Sequence, residues 1–532
     1  MHRAMHRLAI ELTRRRRIRC GSSTGSGAPL GASQKLKAAV KKLKQLSLST
    51  VGSSGHDDHA ASVEHGATAW PHVVRALTIV GLCASVAATS SAQATLDRAA
   101  EIDANKSYLI PVPEIIGFDF LLNRFNRHRE GPGDYDVTTT SIRRNLRHSW
   151  VVDNDPFSVN QFLHPYQGSM YHGFARSAGL TYWQSLGYTF AGSAAWEVAG
   201  ENTAPSRNDQ IASGIAGTFL GESLFRMANL LLEHQDGLPQ IWHEIAATAI
   251  SPATGFNRLA FGNRFKTAFP SHDPAYYSRL NVGFSGTTQN SPGLSTLVRK
   301  SEGLIDYAMD YGLPGKDDYT YKRPFDYFSF QSTLASGNGF EAISTRGLLY
   351  GTDYAVGDFY RGLWGVYGSY DYFAPQIFRI SSTALSLGST GQMWLSDTIA
   401  LQGTGLLGLG YAAVGTLHGT DERDYHYGVA PQALLALRVI WRDKYSLDLT
   451  GREYFVSKVG STDRNTNDNV ARAEASFTWR VSDNHAMSLK YVLSRRDSSY
   501  FGLGDRSQAR GTIGLFYTLL GQPSMGAVSW RR

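Results

Sequence analysis

The chain is poor in several things, and each shortage excludes something. It has two cysteines in 532 residues, Cys20 and Cys83. Both lie before the cleavage site read below, so the remaining chain would carry no disulfide and no thiol chemistry. Charged residues make up only 18%, low for a soluble enzyme of this length. The body has no run of about 20 uncharged apolar residues, which argues against ordinary membrane-spanning helices there. After residue 94 no G-x-S-x-G occurs, which argues against a serine-hydrolase elbow; Gly168-Ser169 is at best a turn-like candidate. No convincing phosphate loop or dinucleotide fingerprint is present.

Basic charge is also missing where it would matter. The net charge is +7, but residues 1–94 hold 13 Lys/Arg against 4 Asp/Glu. The remainder holds 39 against 41. The body therefore gives no reason to expect a nucleic-acid partner. The basic end is explained by "RALTIVGLCASVAATSSAQA". Arg75 is the positive flank, Leu77 to Ala88 the apolar region, and Ala92-Gln93-Ala94 the small-x-small site. This predicts a signal peptide over 71–94 cleaved after Ala94. Residues 1–70 are read as a basic extension without a fixed fold, either an over-extended gene start or a cytoplasmic segment.

What the chain does have is glycine (54), tyrosine (27) and phenylalanine (25), with a period of two in its C-terminal half. In "VARAEASFTWRV", Ala473, Ala475, Phe477 and Trp479 share one face and Arg472, Glu474, Thr478 and Arg480 the other. "KYSLDLTGREYF" and "AMSLKYVLS" alternate in the same way, the signature of strands. Long strands, short turns at 442–444 and 482–484, and long polar loops at 416–425, 458–468 and 495–508 favour a membrane barrel over a soluble sandwich. Twelve strands are expected between 273 and 521. Arg438, Asp448, Arg452, Arg472, Glu474, Arg480 and Lys490 would then face the lumen, as a paired ionic filling or as a charged pore lining.

Residues 95–160 read as irregular and 161–265 as helical. Helices are predicted over about 177–200, 207–234 and 238–250, with another starting at Ser251-Pro252. The first two are expected to form a hairpin that sits under, against or inside the barrel. Gly214, Gly217 and Gly221 form a stripe on the second helix, and glycines inside a helix need a close-packing reason. Ser206 and Asp209 match a helix-start capping pattern, and Glu222 and Arg226 are i,i+4 partners. Glu197 and Glu201 have no easy structural account, because two carboxylates at i,i+4 repel. His164, His172, Glu197, Glu201 and Asp209 are candidates for acid/base or metal chemistry, although their spacing matches no metal motif. His164, His172, Arg176 and Arg207 are candidate partners for the two glutamates. No cofactor and no metal are assigned.

The segments "DNDPF", "HPYQGSMYHGFARSAGL", "GSAAWEVAGE", "PSRNDQIASGIAGTFLGE" and "FRMAN" resemble the bacterial family known as domain of unknown function 3943. The resemblance covers about 150–265. It implies an exported, envelope-associated protein with a helical block ahead of a β-region, and it brings no activity or catalytic residues. The pattern Ser206-x-x-Asp209 with Gly217 and Gly221 is also similar to one helix of VanZ-like membrane proteins.

The fold expected is mainly β with a helical subdomain, an antiparallel outer-membrane β-barrel of about 12 strands preceded by a helical hairpin or bundle. The function expected is passage of an unidentified solute or organisation of the Gram-negative envelope, with outer-membrane lipids as surroundings. The alternative is an envelope hydrolase acting on lipid or cell-wall material through the His/Glu cluster.

Overall fold

Alternation along the strands closes the C-terminal half of the computed structural model into an antiparallel barrel of 12 strands. The described residues are 106–530, apart from 132, 154, 234–237, 263–269, 292–299, 338, 417–422, 424, 458–466 and 501–503. The extension, the signal peptide with its cleavage site, and both cysteines lie outside them. The strands are β1 Tyr276–Ser291, β2 Ser301–Tyr311, β3 Phe328–Ala335, β4 Gly339–Val356, β5 Tyr360–Phe373 and β6 Phe378–Ser396. They continue as β7 Ile399–Thr416, β8 Tyr425–Trp441, β9 Tyr445–Val456, β10 Asn467–Ser482, β11 His485–Tyr500 and β12 Gly504–Leu520. Strand β1 pairs with β12, for example Phe284 opposite Leu515, and so closes the wall.

The two faces of each strand meet different surroundings. Outward positions such as Leu407, Leu409, Leu435, Leu447, Leu489 and Leu515 are exposed. Inward positions such as Asp306, Arg452, Arg472 and Arg510 are buried. An apolar exterior around a polar, packed interior is the inverse of a soluble sandwich and the arrangement a lipid layer demands.

Eight α-helices are described ahead of the barrel: α1 Pro111–Glu130, α2 Thr139–Asn145, α3 His164–Ser177, α4 Tyr182–Ala199, α5 Arg207–Ile211, α6 Gly217–Glu233, α7 Gln240–Ile250 and α8 Pro252–Phe261. A π-helical turn, Val159–Leu163, runs directly into α3, and a second, Ala212–Ala216, joins α5 to α6. Residues 207–233 therefore form one rod. No helix among the described residues is long and apolar enough to cross a membrane.

Three expectations are corrected. The helix expected over about 177–200 starts later, at Tyr182, and residue 177 ends the helix before it. Gly179, at φ 86°, ends α3, and Thr181 and Gln184 form a capping box that starts α4. The hairpin partner of the glycine rod is mainly α3. A Cβ on Gly217 would lie 2.6 Å from the Gly168 Cα, and one on Gly221 would lie 2.9 Å from the His172 Cβ. Only Gly214 packs on α4, where a Cβ would come 2.6 Å from the Phe190 ring. Finally, 111–130 and 139–145 are helical where an irregular segment was expected. In α1 the buried positions are Pro111, Ile115, Asp119 and Asn123, while Val112, Ile116, Phe120, Leu121 and Phe125 face out. Its apolar face is turned outward, and that inversion hides it from a pattern reading tuned to buried apolar stripes.

The helices do not plug the barrel. They pack on its outer wall. On β4, Ser344 and Arg346 point into the lumen while Ile343, Thr345 and Gly347 point out. Thr345 Oγ1 lies 2.6 Å from Ser223 Oγ of α6. On β5, the outward Tyr370 donates to the Gln161 carbonyl at 2.6 Å. The ring of Phe219 stacks at 6.0 Å on Phe325, next to β3. Helix and wall share one apolar core that includes Phe157, Leu220, Met309, Phe328, Ile343 and Tyr372.

Candidate functional site

The polar candidates separate into two buried clusters on the helices and one network in the lumen. The first helical cluster centres on Glu222, which is fully buried. Arg176 Nε donates to its Oε2 at 2.7 Å and Arg226 Nε to its Oε1 at 2.7 Å. His172 Nε2 lies 3.0 Å from Oε2. Arg226 also reaches Asp326 at 3.1 Å and the Pro324 carbonyl at 2.7 Å, both beside the barrel wall. Burial alone would raise the Glu222 carboxyl, but Arg176 and Arg226 hold it well below the usual carboxylate range. This cluster joins α3 to α6 and α6 to the barrel. His172 belongs here and does not stand opposite Glu197 or Glu201.

The second cluster gathers His164 from the start of α3, Glu197 from the last turn of α4 and Asp209 from α5. One potential ligand atom from each lies within 4.8 Å of the others. His164 Nε2 is 3.7 Å from Asp209 Oδ2, and Ser213, on the second π turn, has its Oγ 3.4 Å from His164 Nδ1. π turns inside helices frequently occur at functional sites, and here one delivers His164 and the other delivers Ser213. Asp153 lies alongside. Its Oδ1 accepts from Asn160 at 2.7 Å and from Asn208 at 2.6 Å. Asn208 also donates to the Tyr427 hydroxyl of β8 at 2.8 Å, tying the cluster to the wall.

The capping pattern is made in a different way from the one expected. Ser206 Oγ accepts from the Asp209 amide at 3.2 Å, but the reciprocal bond, from the Ser206 amide, goes to Glu197 Oε2 at 2.8 Å. The Asp209 carboxylate is free to point at His164. Glu201 lies beyond the end of α4 and accepts from Trp196 Nε1 at 2.9 Å and Thr203 Oγ1 at 3.1 Å. The expected face shared by Glu197 and Glu201 is therefore broken at Gly200. Arg207 is exposed and neutralises neither.

Burial pushes the Glu197 and Asp209 carboxyls well up and the His164 imidazole down to about 4. Burial likewise lifts Asp119 to about 7. A carboxyl raised in the folded state contributes stability that is present below its unfolded value and is lost as pH rises. The helical domain should therefore lose stability as pH rises from about 6.5, above which a free imidazole is already neutral, through about 7, where Asp119 ionises. Trypsin digestion of folded protein in detergent across that range checks this. A midpoint that stays flat, or climbs with pH, would contradict it.

The lumen holds the third network. Arg279 meets Asp448 at 2.9 Å, Arg438 meets Asp310 at 3.1 Å, and Arg438 also pairs with Asp448. Lys490 lies 3.4 Å from Asp306 and 3.3 Å from Glu474, which takes Arg472 at 2.8 Å. Arg452 and Arg472 lie over the Phe373 ring. Arg480 sits at the rim, where it pairs with Asp443 of the β8–β9 turn at 2.9 Å.

Both mouths are covered. At the end carrying the β8–β9 turn, the tail after β12 folds across. Gln392 donates to the Val528 carbonyl at 2.6 Å and Gln402 to the Gly526 carbonyl at 2.7 Å, and Met525 is fully buried. At the other end the β5–β6 turn reaches across to β12 and β2. Gln508 donates to the Ile377 carbonyl at 2.7 Å, Arg510 to the Pro375 carbonyl at 3.2 Å, and Gln376 to Glu302 at 2.7 Å. A cavity of about 120 Å³ remains between them, lined in part by Arg279, Arg438, Asp448 and Lys490. That is room for a few waters at about 30 Å³ each.

The fold and these clusters define a class: a closed 12-strand β-barrel whose lumen is filled by ion pairs and whose outer wall carries a helical domain. Residues 149–253, which hold both helical clusters, match the family model described as Domain of unknown function (DUF3943). No curated protein matches the chain. Among solved structures the chain is similar to the NanC porin, at 7% identity and a TM-score of 0.23, covering 45% of this chain and 98% of that one. It is similar to the outer membrane channel DcaP of Acinetobacter baumannii at 8% identity and a TM-score of 0.22, covering 46% and 96%. It is also similar to the β domain of the Bordetella autotransporter BrkA at 12% identity and a TM-score of 0.20, covering 46% and 98%.

Sequence reasoning picked out His164, Glu197 and Asp209 but could not bring them together. It missed Asp153, Asn160, Asn208, Ser213, Tyr425 and Tyr427. Asn208 and Ser213 lie inside quoted segments, yet side chains that meet through two π turns leave no spacing to read.

Proposed function

We propose that this is an integral outer-membrane protein in which a sealed barrel anchors a helical domain laterally within the lipid layer. Its role is envelope organisation at the lipid phase, with no solute passing through the lumen. One observation carries this reading: large apolar side chains are exposed on the helices as they are on the barrel wall. Val112, Ile116 and Phe120 of α1, Ile241, Trp242 and Ile245 of α7, and Phe256 and Leu259 of α8 are all at least half exposed, apart from Val112 at 43%. Clustered exposed apolar side chains mark interaction or membrane surfaces, and these fit a lipid boundary. The end with the short turns and both barrel termini would face the periplasm, reached by export through the segment at 71–94.

The lumen geometry supports the same reading, because ion pairs occupy its middle and, among the described residues, main-chain segments cross both ends. In planar bilayers the purified full chain should insert and show no sustained conductance. Stable single-channel steps over a range of voltages and salt concentrations would overturn the anchor reading and restore solute passage.

A further inference from the structure

We propose that His164, Glu197 and Asp209, with Asp153 beside them, form a binding site for one divalent transition-metal cation, Zn²⁺ or Mn²⁺, where the helical domain meets the barrel. Three observations combine. The first is geometric: one imidazole nitrogen and two carboxylate oxygens from three separate helices converge within 4.8 Å. The second is an orphaned ligand atom. Glu197 is 3% exposed, its Oε2 is used by the Ser206 amide, and its Oε1 has no hydrogen-bond partner. A buried carboxylate oxygen left bare costs free energy, and this side chain is one of the three that converge. The third is charge. Among the described residues no Lys or Arg pairs with Glu197 or Asp209, while Glu222, in the same domain, has two guanidiniums.

The donor set selects the ion class. One imidazole with carboxylates suits Zn²⁺ and Mn²⁺, whereas Ca²⁺ prefers a shell of six to eight oxygens and Mg²⁺ retains most of its water. The second shell is already built. Ser213 lies against His164 Nδ1, leaving Nε2 as the ligand, and Asn160 and Asn208 orient Asp153. Such outer hydrogen bonds are what fix ligand orientation in metal sites. Binding displaces the protons that the buried carboxyls otherwise carry, so affinity falls as pH is lowered. The cation would lock the starts of α3 and α5 and the end of α4 together, next to the Tyr427 hydroxyl of β8.

The test uses the full chain folded in detergent, stripped with chelator, offered Zn²⁺ or Mn²⁺ and passed through a desalting column before metal analysis. One equivalent is expected to stay with the wild-type protein, and none with Mg²⁺ or Ca²⁺. Glu197→Gln and Asp209→Asn should each weaken binding by at least about 100-fold, because even second-shell changes cost 10- to 100-fold. Glu201→Gln should bind as the wild type does. Heat-modifiable migration and trypsin resistance report whether each variant has folded. Cu²⁺ on the wild-type protein gives a readout independent of any variant: its electron paramagnetic resonance spectrum should show a single nitrogen ligand. Substoichiometric uptake, wild-type affinity in both carboxamide variants, or two or more nitrogens on Cu²⁺ would each overturn the site. The conductance experiment is indifferent to this result, so the two proposals fail separately.

Discussion

Glu222→Gln should detach the helical domain from the barrel wall. The substitution keeps the side chain's shape and removes its charge. Arg176 and Arg226, at 1% and 2% exposure, would then be buried cations facing a neutral amide. Removing one partner from a buried ion pair costs about 3–5 kcal/mol, because the charge left behind stays desolvated. Arg226 would keep Asp326 at 3.1 Å, whereas Arg176 would lose its carboxylate partner and retain neutral acceptors such as the Leu180 carbonyl. The barrel has its own ladders and its own lumen network, so the loss should be confined to the helices. The expected result is a variant that still shows heat-modifiable migration but whose residues 106–262 are cut readily by trypsin. A variant as resistant as the wild type would show that the cluster is not what holds the domain. The pH response of the wild type follows from the same residue. A carboxyl held low contributes stability above its unfolded value of 4.5, and that contribution fades as pH falls through the lower folded value. Below about pH 4.5 the wild type should lose helical-domain stability, and Glu222→Gln should not share that loss.

Gly168→Val should have a comparable effect through sterics alone. A Cβ at this position would overlap the carbonyl oxygen of Ser213, a backbone atom that cannot rotate away. From the other side Gly217 closes the contact, and a Cβ there would lie 2.6 Å from the Gly168 Cα. Overpacking commonly costs about 1–3 kcal/mol and more where backbone must move, so at least about 3 kcal/mol is expected. Gly187, on α4, is the matched control. A Cβ there meets nothing within 4 Å, so Gly187→Ala should stabilise the helix by about 0.5–1 kcal/mol. Protease resistance of the helical domain reads both variants. If Gly168→Val were as resistant as Gly187→Ala, the close approach of α3 and α6 would be wrong.

The barrel was legible because its two faces have opposite chemistry over long strands. Ala473 to Trp479 and Arg472 to Arg480 read as two faces without any knowledge of the partner strand. The glycine rod was legible for a similar reason, since Gly214, Gly217 and Gly221 are costly in a helix unless something lies close. Its partner was not legible, because nothing local in Gly168 marks it as the other half of the contact. Helix α1 was hidden by its outward apolar face, and its buried Asp119, which accepts from the Tyr171 hydroxyl, reads as a surface residue. The tail after Leu520 has no alternation to read, yet its backbone carbonyls serve as acceptors across the mouth. Side-chain type predicts little about a segment held by its main chain. In the cluster at His164 the residue types drew notice, but Ser206 and Glu197 share a cap that crosses from one helix to the next. A reading confined to single helices assigns that cap to Asp209.

Closure of the barrel also dictates an order of events. The seam joins β1 to β12, so 279 meets 520 and nearly the whole domain must exist before the wall can shut. Pairings this distant in sequence are slow, because the chain gives up its freedom long before the contact repays it. The helices make no such demand. Their contacts with one another, such as Arg176 with Glu222, 46 residues apart, and Asn257 with Phe174, 83 apart, span less chain than the seam, and they meet the wall on β2–β5 and on Tyr425 and Tyr427 of β8. An assembled helical domain can thus receive the early strands one at a time while the later ones are still unpaired. It would shield the aromatic outer face of β3–β5 from water through the slowest step, as a built-in chaperone that remains part of the finished molecule.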